Sequence, residues 1–146
     1  MVKTILSVLL IYIAAVGGEV LANDSITVHV MIKGFKSEDE ICRLLLYESK
    51  NGFPDLPEDA ALMLSENIRG KTTEFIFKIK HGKYAIAVLH DENLNKKMDK
   101  TWYGKPAEGF GTSNNPEVGF GPPEFEESAV NLNENNHDLI ITLNYL

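Results

Sequence analysis

TTEFIFKIKHGKYAIAVLH, residues 72–90, is the stretch that decides the fold. Phe75, Phe77 and Ile79 alternate with Glu74, Lys78 and Lys80, the period of two expected of a strand with one buried face. His81 and Gly82 interrupt the pattern as a hairpin turn would, since glycine supplies the positive φ such turns ask for. Alternation then resumes over residues 83–90, where Tyr84, Ile86 and Val88 oppose Ala85, Ala87 and Leu89. Two apolar faces place this second strand in the middle of the molecule. Ala85 and Ala87 are small enough to let a further layer approach.

Upstream, Ile26, Val28, Val30 and Ile32 alternate with Thr27, His29 and Met31 in a strand over residues 25–33. The next, over residues 40–48, carries Cys42, Leu44 and Leu46 on one face and Ile41, Arg43, Leu45 and Tyr47 on the other. Gly52, Pro54 and Pro57 block regular structure after it. Residues 58–64 are expected to form a short helix, with Pro57 at its first position and Glu58 and Asp59 at its positive end. Downstream, strands are expected at 128–132 and 137–145, with a turn at 133–136. Short alternating strands without a long helix to cross over parallel strands fit an all-β antiparallel β-sandwich better than an α/β sheet. Ile26, Val28, Leu44, Phe77, Ile86, Val88 and Ile141 are its expected core.

Residues 90–125, HDENLNKKMDKTWYGKPAEGFGTSNNPEVGFGPPEF, break the alternation. They hold four of the chain's six prolines and its only tryptophan. A connection of this length is usually functional or disordered. Trp102, Tyr103, Phe110, Phe120 and Phe125 give it apolar surface to bury, which favours one long ordered loop on the β-scaffold.

Within it Asp91, Asn93, Asn95 and Asp99 stand at relative places one, three, five and nine. Oxygen ligands so spaced resemble the start of an EF-hand calcium loop, which curls around a hard cation. Lys96 replaces the turn glycine of such loops and Trp102 stands where the final glutamate belongs. Glu92, Glu108, Glu124 or a backbone carbonyl would have to complete the shell. Any calcium binding is therefore expected to be weak, and zinc lacks a soft-ligand cluster. The alternative is that these four side chains bond to loop N–H groups and hold its turns without metal.

A leader precedes the domain. Lys3, the apolar run of residues 5–16 and the small or aliphatic residues up to Ala22 fit a signal peptide of residues 1–22, and the run is too short to span a bilayer. The mature domain of residues 23–146 would be periplasmic or secreted. Its formal net charge of -7 is unchanged by removing Lys3 and Glu19. That balance disfavours nucleic acid and anionic membrane surfaces and suits cationic partners or metal ions. Cys42 is the only cysteine, so no internal disulfide can form, and its apolar setting predicts a buried, inert thiol.

The run from Gly82 to Asn95, together with Asp99, GKPAEGFGTSNN at 104–115 and GPPEF at 121–125, resembles the DUF2141 family of bacterial exported proteins. The resemblance is strongest over residues 82–132 and implies an immunoglobulin-like or transthyretin-like sandwich. It brings no activity or substrate with it. The family often carries glycine where this chain has Lys96.

The residues themselves suggest a non-enzymatic binding module. Loops at the end of a rigid sandwich commonly present partners, and Trp102, Tyr103, Glu108, Phe110 and Glu124 would suit an envelope protein, a peptide groove or stacked glycan. Two alternatives are a structural envelope protein and a carboxylate-dependent hydrolase using His90 with Asp91, Asp99, Glu108 or Glu124. Ser113 lies outside any nucleophile-elbow context. Exposure of Trp102, Tyr103 and Phe110 around a groove would favour binding; burial of all three would favour structure.

Overall fold

The computed structural model describes residues 24–133 and 137–146. The leader expected at 1–22 and most of the turn expected at 133–136 lie outside them. Among the described residues eight strands form two sheets: β1 (Ser25–Lys33), β2 (Ile41–Tyr47), β3 (Leu62–Asn67), β4 (Thr72–Lys80), β5 (Gly82–Asp91), β6 (Phe110–Thr112), β7 (Ala129–Leu132) and β8 (His137–Thr142). One helical turn, α1 (Phe125–Ser128), precedes β7. The first sheet runs β4-β1-β8; the second runs β3-β2-β5-β6, with β7 also paired to β5. The architecture is all-β, in two mostly antiparallel sheets.

The core between the sheets is where alternation places it. Ile26, Val28, Val30 and Ile32 of β1 meet Cys42, Leu44 and Leu46 of β2 and Tyr84, Ile86 and Val88 of β5, all buried. Ile141 joins them from β8, and Phe77 is half-buried against the same cluster. Full burial of each large aliphatic side chain stabilises the fold by about 1.5–3 kcal/mol. Cys42 lies in this core as a free thiol. Burial, with a smaller contribution from Glu66, pushes its pKa well above the ordinary thiol range, so it is held in the unreactive form.

Several expectations need correction. Residues 72–90 are not a hairpin: β4 pairs with β1, and β5 with β2, in the other sheet. The chain turns a corner at His81. Each strand thereby turns its larger apolar face into the space between the sheets, where facing apolar layers bury each other. Gly82 does not take the positive φ of a turn; a Cβ there would stand 2.9 Å from the Tyr84 ring, so glycine admits the ring's close packing.

The helix expected at 58–64 is a single 3-10 turn, Pro57–Asp59, followed by β3. Pairing along β2 overrides helix propensity, because it satisfies backbone groups and seats Leu62 and Leu64 against the core. Nor is the sandwich wholly antiparallel: β8 runs parallel to β1, with Val30 opposite Leu139. The last strand ends at Thr142, and Asn144 then bridges Phe110 of β6, a strand hidden inside the long loop.

The outer face of the second sheet positions the site. Leu45 and Tyr47 of β2 and Ala85 and Ala87 of β5 form a second apolar cluster with Phe125 of α1. Small residues at 85 and 87 admit this extra layer. The loop therefore lies on a prepared apolar surface.

Candidate functional site

The loop begins at a buried charge. Asp91, 0% exposed, ends β5 on the outer face, where the register brings Arg43 of β2 beside it. Arg43 Nε donates to Asp91 Oδ2, and Arg43 Nη1 donates to Ser65 Oγ at 2.8 Å. Asp91 also accepts the backbone N–H groups of Asn95 at 3.1 Å and Lys96 at 3.0 Å. With an ion-pair partner and two N–H donors, the buried carboxylate is fully compensated.

The other nominated metal ligands join the same curl. Asn93 Oδ1 accepts the N–H of Asn95 at 3.1 Å, and Asn95 Oδ1 accepts that of Lys97 at 2.9 Å. Asp99 accepts the side-chain amides of Asn93 and Asn95. Leu94 and Lys96 hold φ values of 62° and 66°. Lys96 thus adopts the left-handed conformation that glycine takes in a calcium loop. Among the described residues, no group of three or more histidine, cysteine, aspartate or glutamate side chains is placed to hold a metal.

Glu108, 4% exposed, closes the curl from outside. It accepts the N–H of Glu92 at 2.9 Å on one oxygen and that of Asp99 at 3.2 Å on the other. Burial raises its pKa above 4.5; the two N–H donors oppose the shift, while Asp99 and Asp91 add to it. His90 is buried in the core, its Nε2 3.0 Å from the Asp39 carbonyl and its Nδ1 2.9 Å from the Tyr145 hydroxyl. A carbonyl only accepts, so neutral His90 carries its proton on Nε2 and accepts from Tyr145 on Nδ1. Both ring nitrogens are engaged in hydrogen bonds within the fold.

The nominated aromatics divide. Trp102 and Tyr103, 96% and 58% exposed, stand edge to face at the end of a narrow turn closed by the Thr101 N–H to the Lys105 carbonyl at 2.7 Å. Phe110 is buried on β6. Glu124 is exposed and caps α1 in a reciprocal capping box with Glu127. The five nominated residues therefore do not share one surface.

Ser113, set aside above as a nucleophile, and Asn114 and Asn115, not singled out from the sequence, tie the loop down. Ser113 Oγ donates to the Ser128 carbonyl and accepts the Ile86 N–H at 2.9 Å. The Asn114 amide donates to the carbonyls of Glu127 and Ala129, and Asn115 bonds both Ile140 and Thr142. Asparagine provides both donors and an acceptor, which lets one side chain clamp a neighbouring backbone.

Between this anchored loop and the sheet lies a groove of ≈ 520 Å³. Its sheet side is Leu45, Ala87 and Leu89; its loop side includes Met98, Pro106, Phe110, Val118 and Phe120. Lys96, Lys100 and Lys105 also line it. Lys100 is paired with Asp55, the one side-chain carboxylate in the lining. Sequence reading missed this groove, although the outward apolar residues 45, 87 and 89 and the lysines of 96–105 were its signals. Trp102 and Tyr103 lie on the turn whose Gly104, Lys105 and Pro106 line it. Phe120, also lining it, is fully exposed.

Residues 30–140 match the family described as "Uncharacterized protein conserved in bacteria (DUF2141)". No curated protein and no solved structure matches the chain.

Proposed function

Since the chain belongs to the DUF2141 family, whose description specifies no reaction, we propose from its own geometry that it is a non-enzymatic binding module using the 90–125 loop. One observation carries this reading: the groove of ≈ 520 Å³ on the outer face of the second sheet. Its size falls in the range of about 300–1,000 Å³ common to small-molecule sites, and such sites are mostly apolar with a few polar groups. An apolar groove bordered by an exposed Phe120 supports binding over a purely structural envelope role.

The test is a titration with the neutral dye N-phenyl-1-naphthylamine, whose emission rises on entering an apolar site. Saturable binding is expected, lost in Ala87→Phe, which fills the sheet side, and in Val118→Trp, which narrows the loop side. Circular dichroism would verify that both variants are folded. No saturable binding by the native protein would reject the module.

Calcium binding by Asp91, Asn93, Asn95 and Asp99 is a second reading, favoured by the left-handed backbone at Lys96. Arg43 already neutralises Asp91, so the affinity belongs at the weak end, on the order of 10⁻⁴–10⁻³ M. Calorimetry on the native protein and on Asp91→Asn/Asp99→Asn tests it; no calcium-dependent heat in the native protein would refute it.

We also propose export, with residues 1–22 as the leader, and the transthyretin-like variant of the sandwich. In the immunoglobulin arrangement the first two strands share a sheet. Here β1 and β2 lie in different sheets, which supports the other variant.

A further inference from the structure

We propose that the groove binds a free long-chain carboxylate, its acyl chain against Leu45, Ala87 and Leu89 and its head group between Lys96 and Lys105. This rests on the binding-module reading and narrows it to one ligand class. The groove is lined chiefly by apolar residues. Its side chains offer few hydrogen-bonding groups: the Thr112 hydroxyl is engaged with Ser128 at 2.8 Å, and Asp55 with Lys100. A glycan or a peptide seated there would leave buried polar groups without partners, a cost that an alkyl chain does not incur.

Charge then selects among apolar occupants. The whole chain is acidic, at -7, yet the local balance is the reverse. Residues 94–105 contain Lys96, Lys97, Lys100 and Lys105 against Asp99 alone among acidic side chains. Lys96 and Lys105 line the groove and have no ion-pair partner among the described residues, while Asp99 is held by the amides of Asn93 and Asn95. Two lysines lining an apolar trough complement a ligand with one hydrocarbon end and one anionic end. The net charge that pointed towards cationic partners averages over this reversal.

Phe120 agrees with such an occupant. It lines the groove, yet its ring is fully exposed. An acyl chain in the groove would give that ring and Val118 an apolar neighbour. Phe120 is continuous with the apolar lining of the trough, and contiguous exposed apolar surface marks ligand-binding grooves.

The experiment displaces N-phenyl-1-naphthylamine from the native protein with four ligands below their micelle concentrations: dodecanoate, tetradecanoate, tetradecanol and tetradecyltrimethylammonium. Tetradecanoate is expected to bind roughly tenfold tighter than tetradecanol, the worth of a charge-assisted contact, and the cation weakest. Dodecanoate should be weaker than tetradecanoate by roughly fourfold per missing CH₂. Lys96→Gln/Lys105→Gln should reduce carboxylate binding to the level of the alcohol, with both affinities referred to the dye affinity of the same variant. Equal displacement by alcohol and carboxylate, or none by any chain although the dye binds, would overturn the carboxylate and leave the module standing. Failure of the dye itself would remove both. Binding to vesicles of anionic phospholipid, with no displacement by free carboxylate, would identify a membrane-docking surface and likewise overturn the proposal.

Discussion

At the scale of single residues, Arg43 and Asp91 set the start of the loop. Their side chains are 7% and 0% exposed, so removing one partner strands the other in the protein. Arg43→Met is expected to cost about 3–5 kcal/mol in chemical denaturation, whereas breaking the exposed Lys83–Glu126 pair should cost about 1 kcal/mol or less. Glu108 gives a pH signature. Its folded pKa is raised, so folding favours the protonated acid. Its contribution is complete below the ordinary carboxylate range and is lost as pH rises through the raised folded value. Stability should therefore carry a component that declines with rising pH over that window. Urea midpoints measured across pH should show the decline in the native protein and a flatter curve in Glu108→Gln.

At the scale of elements, β6 is the piece that joins loop to scaffold. It is three residues long and pairs with β5 through Ala87, Val88 and Leu89, while Phe110 also bridges Asn144. Gly111 at its centre has no room for a side chain: a Cβ there would lie 2.8 Å from the Thr142 carbonyl oxygen, a backbone atom that cannot rotate away. Gly111→Ala should lower stability by about 1–3 kcal/mol through overpacking. Gly121, with nothing within 4 Å, should accept alanine with a change of about 0.5 kcal/mol or less. Thermal melts of the two variants provide the comparison. β3 carries the complementary lesson: residues 62–64 have adequate helix propensity, but the open edge of β2 and the core beneath it select the strand.

At the scale of the whole molecule, two layers of sheet carry a third layer made of loop. One segment of the third layer, residues 94–105, gathers four lysines against one aspartate on an acidic chain, and the layer stands on an outer face that Leu45, Ala87 and Leu89 make apolar beside the groove. If residues 1–22 are a leader, the protein recovered from its native source should begin near Asn23; intact mass measures this, and a retained Met1–Ala22 segment would refute it.

The amino-acid order alone determined the strands whose side chains alternate, β1, β2, β4, β5 and β8, and nearly all the core residues they carry. Period-two burial is a local property, written residue by residue, and so is the family resemblance over residues 82–132. The turn at 91–99 was legible for the same reason, because its Asx side chains bond within a few residues. Only the tertiary structure decided which strands pair. Residues 72–90 turn a corner between sheets, β8 lies parallel to β1, and β3 exists because an edge required it; each depends on energies of contact between segments distant in sequence. It alone also separated the nominated aromatics, burying Phe110 and leaving Trp102 and Tyr103 in solvent. The groove belongs to this second class. Leu45, Ala87, Lys105 and Val118 carry no mutual signal along the chain, and they meet because the apolar outer face of β2 and β5 must be covered.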